Sequence, residues 1–192
     1  KNYYDSGLED AFTTESFMVF KYMIDENRPV TDFLSADYTF VDSDLAEHYG
    51  LEEIKEFGFV KVKLPDLRRG GLLSQGSVLT STSNGVETSP VHRGIWVLTN
   101  ILGIKPPRPP PNVPALAVDT RGSRTLRQQL AAHTRSSKCA GCHRHIDPLG
   151  FGLENYDAIG GWREEYKNKV KVNAGGKLPT GQKYRNIAEF KK

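Results

Sequence analysis

Cys139 and Cys142 are the chain's two cysteines, and His143 follows the second of them directly. The resulting C-x-x-C-H spacing is the attachment signature of a c-type haem. Two thiols three positions apart can each bond to one of the two vinyl carbons on one edge of a porphyrin. The adjacent imidazole can then ligate the iron, and this ligand strongly influences the chemistry of the metal. The motif therefore predicts one covalent haem c on Cys139 and Cys142, with His143 as the proximal ligand.

Three other roles for the cysteine pair fit the surrounding sequence less well. A redox dithiol of the thioredoxin kind is expected near a βαβ pattern, whereas here a helix precedes the motif and a Gly/Pro-rich segment follows it. A structural zinc site needs four ligands in a tetrahedron. The local candidate ligands are Cys139, Cys142, His143 and His145. Because they lie so close together in the chain, they cannot easily converge on one metal. A disulfide across two residues would close a very small loop and contribute little stability. Dithiol, disulfide and zinc stay open as alternatives.

The composition limits the classes of partner. The chain has 192 residues, 38% of them hydrophobic, which suffices for one sizeable core or two small ones. Its net charge of +3 is spread along the chain rather than clustered, so nucleic-acid binding is not expected. The most apolar stretch, 94–104, contains Thr99 and Asn100 and is shorter than the ~20 residues that cross a bilayer. The first residues lack the apolar core of a signal peptide, so we expect a matured chain or part of a longer one.

The periodicities predict a mainly α fold in three regions. Residues 1–88 form an N-terminal, mostly helical region with a short strand pair. Residues 89–165 form a small helical c-type haem domain. The proline-rich segment at 105–114 lies in this range, and a stiff, extended spacer is favoured there over a recognition ligand. Residues 166–192 begin a following domain or form a C-terminal tail.

The elements of the first region follow from spacing and end signals. A helix is predicted over residues 13–27, because apolar residues recur there at helical spacing. A second helix is predicted over residues 43–49, with Ser43 as its N-cap and Gly50 at its end. Residues 59–64 alternate apolar residues with lysines, which indicates a half-buried strand. The apolar residues of the first helix are Phe17, Phe20, Met23 and Ile24.

Two further helices are predicted to position the motif. Ser89 can cap a helix that begins at Pro90 and ends at Gly103. Thr125 begins a capping box and starts a helix that runs almost directly into Cys139. After the motif, residues 147–152 are expected to turn away from it, and the aromatic residues that follow are expected to cover the haem.

The sequence around the motif resembles a known family, the planctomycete-type cytochrome c proteins, which consist of several consecutive domains of unknown function. The resemblance implies that the chain begins inside one family domain and stops inside another. It also implies an extracytoplasmic setting, periplasmic or extracellular, because haem is attached covalently outside the cytoplasm. It supplies no known reaction, and His145 has no expected counterpart in relatives. The segments that carry the resemblance are 139–163, 36–40 with 45–50, 69–73, 89–94 with the proline run, and 176–181.

The distal ligand decides what a haem in this chain could do. His48 lies in a family-like segment and is the first candidate, and His133, on the apolar face of the helix before the motif, is the second. Arg163 is a candidate partner for a haem propionate because a guanidinium group suits a carboxylate. Phe151 is a candidate for aromatic cover of the haem.

Two classes of function follow from the resemblance and the motif. An occupied distal position implies an electron-transfer module that exchanges electrons with redox partner proteins or neighbouring haem domains. An open distal position implies a haem enzyme, and the stretch 150–163 partly resembles the di-haem cytochrome c peroxidases. Electron transfer is favoured, because the sequence provides no evident acid/base pair. A third hypothesis treats residues 13–79 as an interaction module.

Overall fold

The structure is a computed structural model that describes residues 7–106, 125–134 and 137–192. The chain divides into two units, one of residues 1–81, 156–162 and 191–192, the other of residues 82–155 and 163–190. About 45% of the structure is helical and its sheets have only two short strands, which confirms the mainly α prediction. Most of the proline-rich segment lies outside the described residues, and the three predicted sequence regions stay predictions.

The first unit combines helices with one small sheet. Its strands β1 and β2 pair antiparallel, with Tyr38 opposite Lys63 and Val41 opposite Val60. The predicted strand at residues 59–64 is therefore present as β2, and β1 is the partner that the sequence did not identify. The elements are α1 (Leu8–Asp25), α2 (Asp32–Ser35), β1 (Tyr38–Val41), α3 (Ser43–Tyr49), β2 (Val60–Lys63), a 3₁₀ turn (Leu72–Ser74) and α4 (Gly76–Ser81).

Helix α1 differs from the prediction in its first residue and in the face that it buries. It begins at Leu8 rather than at residue 13. Of the four apolar residues predicted to share a face, only Met23 is buried, and Phe17, Phe20 and Ile24 are 65%, 50% and 63% exposed. A second set of residues at helical spacing packs on the core instead. Periodicity alone could not decide which of the two sets is buried. The buried set consists of Leu8, Ala11, Phe12, Glu15, Val19 and Met23.

The ends of α3 follow local rules, with one correction. The N-cap is Asp42 rather than Ser43: its carboxylate accepts a hydrogen bond from the main-chain N–H of Leu45 at 2.8 Å. Asp42 has the extended backbone of an N-cap and supplies an acceptor for an N–H group that lacks a helical partner. Gly50 ends the helix with φ of 68°, as predicted, in the left-handed region that glycine favours.

The second unit contains the remaining helices and a two-stranded ribbon. Ser89 caps α5 by accepting from the N–H of His92 at 3.3 Å, and Pro90 is the first helical residue, as predicted. Thr125 and Gln128 form the predicted capping box. The elements are α5 (Pro90–Trp96), which continues as a π-helical turn (Val97–Ile101), α6 (Leu126–His133), α7 (Ser137–Phe151), β3 (Gly176–Lys177), β4 (Lys183–Tyr184) and α8 (Ile187–Phe190).

Helix α7 corrects the expectation that residues 147–152 turn away from the motif. The helix continues through Pro148 to Phe151. Its close packing on α5 explains this continuity: a Cβ on Gly94 would overlap the carbonyl group of Ile146, and a Cβ on Gly150 would overlap that of Pro90. A proline costs an internal helix one hydrogen bond, and close packing on a neighbouring helix offsets such a loss.

The described residues also bear on membrane association. Within these parts of the chain, every helix is too short or too polar to cross a membrane.

Candidate functional site

The C-x-x-C-H motif lies inside α7, where helical geometry brings its three side chains together. Cys139, Cys142 and His143 stand at positions i, i+3 and i+4, so they occupy one side of the helix. Both cysteines are free thiols of intermediate exposure. One helix face therefore presents two accessible thiols beside one imidazole.

Asp147 holds the imidazole of His143 from the next helical turn. The Nδ1–H of His143 donates to Oδ1 of Asp147 at 2.9 Å, and the two side chains are only 17% and 13% exposed. A histidine that binds a metal usually donates its other ring N–H to a carboxylate or a carbonyl. In this tautomer Nε2 is the nitrogen with the metal-binding lone pair. Asp147 is not among the site residues predicted from the sequence, although its i, i+4 spacing from His143 is a usable signal.

A pocket of about 250 Å³ opens beside His143. It mixes cationic, polar and apolar side chains, and within the described residues Asp147 is the only carboxylate that lines it. The lining residues are Arg127, Thr134, Ala140, His143, Arg144, Asp147, Pro148, Phe151, Gly176 and Lys177.

Arg127 is a second residue that the sequence analysis missed. Its Nε donates to the carbonyl of Asn173 at 3.0 Å and one terminal nitrogen donates to the carbonyl of Gly175. The guanidinium carbon lies 3.9 Å from the ring centre of Phe151, and burial lowers the pKa of the group. Among the ion pairs of the described residues, none joins Arg127 to a carboxylate. The pocket therefore contains a half-buried cation whose acceptors among the described residues are neutral carbonyls.

Phe151, a predicted haem contact, lies in the second unit near His143. The side chain is buried in a cluster with Leu126, Leu130 and Tyr166, and it also lines the pocket beside His143. Its contact with a haem stays a prediction.

Arg163, the predicted propionate partner, is engaged elsewhere in the same unit. Its Nε donates to the main-chain carbonyl of Glu154, and a terminal nitrogen donates to Oε2 of Glu154, both at 3.0 Å. That terminal nitrogen also donates to the hydroxyl of Thr88 at 3.0 Å. Arg163 does not line the pocket beside His143. Its role towards a propionate stays a prediction.

Glu154 is the centre of this buried polar network. Its carboxylate is fully buried and accepts hydrogen bonds from Thr88 at 3.1 Å and from Tyr166 at 3.2 Å. The guanidinium group of Arg93, also fully buried, lies 3.7 Å from Oε1. Buried charges in such networks are expensive to leave unpaired. The network therefore pairs charges that burial would otherwise leave uncompensated.

The two candidate distal ligands stay predictions. His48 lies on α3 in the first unit, where its Nε2–H donates to the carbonyl of Ile159 at 2.8 Å. Burial lowers the pKa of this imidazole. His133 is the last residue of α6, and its side chain lies outside the described residues.

The donor set fits a haem c. In the described parts of the chain, no three His, Cys, Asp or Glu side chains group so as to hold a metal ion by themselves. Haem needs fewer protein ligands, because the porphyrin supplies four nitrogens to the iron. Two free thiols and an imidazole on one helix face are groups that suit a covalent haem, and the thiols suit a dithiol or a disulfide as well.

Comparisons with known proteins place the chain in a family. A family described as "PSCyt3: Protein of unknown function (DUF1588)" matches residues 69–166, a range that includes the motif. A second, "PSD4: Protein of unknown function (DUF1592)", matches residues 1–51. No curated protein and no solved structure matches the chain. Both families are planctomycete cytochrome c-type domains of unknown function. Because the first match covers half of the chain, the protein belongs to the PSCyt3 (DUF1588) family.

Proposed function

We propose that this chain is a c-type cytochrome module that binds one covalent haem and transfers electrons. The observation that carries this proposal is the arrangement on α7, where two free thiols and the Asp147-bound imidazole of His143 share one helix face. Membership of a cytochrome c-type family supports it independently.

Three residues of the site would hold the haem. Cys139 and Cys142 would each be joined to one vinyl group by a thioether, with the sulfur on one vinyl carbon and the thiol proton on the other. His143 would bind the iron through Nε2. When bound, the haem supplies an iron that changes between the ferric and ferrous states by one electron.

The pocket beside His143 contains cations that would suit the two propionate groups of a haem, although neither Cys139 nor Cys142 lines it. These cations are Arg127, Arg144 and Lys177. Arg127 is the strongest candidate partner, because its guanidinium is half-buried and its hydrogen bonds go to neutral carbonyls. A carboxylate there would neutralise a charge that the described residues leave without an ion pair.

Electron transfer is favoured over a haem enzyme on the sequence, which provides no evident acid/base pair. The alternative is an enzyme related to di-haem cytochrome c peroxidases with an open distal site. In either case covalent attachment implies an extracytoplasmic location, and redox partner proteins or neighbouring haem domains would exchange the electrons.

An intact mass measurement tests the haem. The chain, exported in a host that matures c-type cytochromes, is expected to have the mass of the polypeptide plus one haem. The double variant Cys139→Ala/Cys142→Ala is expected to have the mass of the polypeptide alone, and His145→Ala is the matched control that keeps the haem. A wild-type chain with the mass of the bare polypeptide would overturn the proposal.

Visible spectra separate the two functions. We expect sharp low-spin bands in the oxidised and dithionite-reduced protein that do not change with cyanide or carbon monoxide. A high-spin spectrum that shifts when these ligands are added would favour the enzyme with an open distal site.

A further inference from the structure

We propose that Asp147 is a positioning residue that acts through His143: it orients the imidazole and makes the bound haem harder to reduce. The inference rests on the proposed function, because it concerns the iron that His143 would ligate. It assigns a role to a residue that the motif itself does not contain.

The geometry places Asp147 where this role requires it. Asp147 stands four residues after His143 on α7, and its Oδ1 is 2.9 Å from Nδ1. Both side chains are more than four-fifths buried. Water therefore competes weakly for this hydrogen bond. The charge of the Asp147 carboxylate is also less screened than it would be at the surface.

Two contacts hold the backbone next to Asp147. Gly150 packs its Cα directly against the carbonyl group of Pro90 in α5. The hydroxyl of Tyr184 donates to the carbonyl of Pro148. These contacts fix the helix next to Asp147, so the carboxylate is preorganised towards His143.

The electronic consequence follows from the charge on the acceptor. A carboxylate attracts the Nδ1 proton, which increases the electron density of the ring and the basicity of Nε2. A more basic ligand stabilises the more highly charged ferric iron, because it donates more electron density to the metal. Hydrogen bonds to the axial ligand are one of the means by which a protein sets the reduction potential of a haem. A neutral acceptor would have a weaker effect.

The negative charge also offsets nearby positive charges. Arg127, Arg144 and Lys177 line the same pocket, and cations close to an iron favour the ferrous state by attracting the added electron. Among the described lining residues Asp147 supplies the one negative charge, so its loss would weaken the opposition to these three cations. Both effects of removing the charge have the same sign, towards easier reduction.

The test compares reduction potentials of haem-loaded variants. Asp147→Asn keeps an oxygen acceptor but removes the charge, and Asp147→Glu keeps the charge on a longer side chain. Glu165→Gln, which removes an exposed carboxylate in the same unit, controls for net charge. Each variant is first shown by intact mass to contain one haem, and its midpoint potential is then measured by spectroelectrochemical titration.

We expect Asp147→Asn to shift the equilibrium of reduction roughly tenfold towards the ferrous state, about 59 mV for one electron. Asp147→Glu is expected to stay closer to the wild-type potential, and Glu165→Gln to match it. A stability role alone would change the urea midpoint and leave the potential unchanged.

The outcomes distinguish this inference from the proposed function. A wild-type chain without haem would overturn both. A haem-loaded Asp147→Asn protein with the potential of Glu165→Gln would overturn the role of Asp147 alone. If the Asn variant loads too little haem to measure, a potential of Asp147→Glu shifted tenfold or more from wild type despite its retained charge would overturn it as well.

Discussion

Gly150 of α7 packs so closely on Pro90 of α5 that a Cβ at position 150 would overlap the carbonyl group of Pro90. The reciprocal contact lies one turn earlier on α7, where Gly94 of α5 meets the carbonyl of Ile146. Two glycines, one on each helix, thus let the main chains approach. This contact holds the half of α7 that carries Asp147 and Phe151.

Alanine at either contact is expected to destabilise the protein. Gly150→Ala and Gly94→Ala would each force a methyl group into a main-chain carbonyl, which has no flexible end that could move aside. Overpacking of this kind costs typically about 1–3 kcal/mol. Urea unfolding followed by circular dichroism measures the loss.

Gly141→Ala is the matched control for this prediction. Gly141 is in the same helix, and a Cβ there would meet nothing within 4 Å. Because alanine favours helix over glycine by about 1 kcal/mol, the control is expected to be neutral or stabilising. Equal losses in all three variants would contradict the close packing of α5 on α7.

Neutralising Glu154 is expected to cost far more than removing one of its hydrogen bonds. Glu154→Gln leaves the fully buried Arg93 and the partly buried Arg163 without their carboxylate. Breaking a buried ion pair from one side costs about 3–5 kcal/mol. Tyr166→Phe removes only the hydrogen bond of 3.2 Å from the Tyr166 hydroxyl to Glu154. This variant is expected to lose about 1 kcal/mol of stability. Equal urea midpoints for the two variants would show that the Glu154 charge contributes nothing.

The stability of the first unit is expected to depend on pH through Glu15. Its buried carboxyl accepts hydrogen bonds from Thr39 and Tyr49, both at 2.6 Å, but burial raises its pKa from 4.5 to about 7. Between these two values the folded chain holds a proton that the unfolded chain has lost. Stability therefore falls as the pH rises through this window, by up to about 1.4 kcal/mol per pH unit.

The comparison with Glu15→Gln isolates this dependence. The free energy of unfolding of the wild type minus that of the variant, from urea titrations, should decrease from pH 4.5 to pH 7 and be constant above it. Glu9→Gln, which removes an exposed carboxylate from the same helix, is the control. A difference that does not vary with pH would refute the prediction.

Replacing His48 tests two roles at once. His48→Ala leaves the carbonyl of Ile159 without its donor and removes a ring 5.7 Å from that of Phe12. We expect a loss of about 1–3 kcal/mol in stability, measured by urea unfolding. The sequence-based prediction of a distal ligand further requires that the low-spin bands of the haem-loaded protein disappear. An unchanged visible spectrum would remove His48 as the ligand.

The parts of the fold predicted well were those set by residues three or four positions apart. Ser89 before Pro90 and the Thr125–Gln128 box form their caps as expected. The cap of α3 was predicted one residue late, because Asp42 and Ser43 are both good N-cap residues. Local rules place a helix end to within one residue. They are no more precise because neighbouring N-cap residues, such as Asp42 and Ser43, differ little in capping energy.

The parts predicted poorly depend on packing. The face of α1 was wrong because two sets of residues share the helical period, and only the one that meets the core is buried. The turn expected at Pro148 was wrong because packing on α5 keeps α7 helical. Neither outcome can be derived from a window of neighbouring residues.

By itself the sequence determined which reactive residues stand together, two thiols and an imidazole at positions i, i+3 and i+4, and the residues that cap α5 and α6. Only the tertiary structure decided what surrounds that motif. It brings Arg127 to the carbonyls of Asn173 and Gly175, and it joins Glu154 to Thr88 and Arg163. Such contacts join residues far apart in the chain, so their geometry depends on how the core packs. The positions of side chains along one helix follow from the helical repeat. The lining of a pocket depends on which helices, strands and loops pack around it.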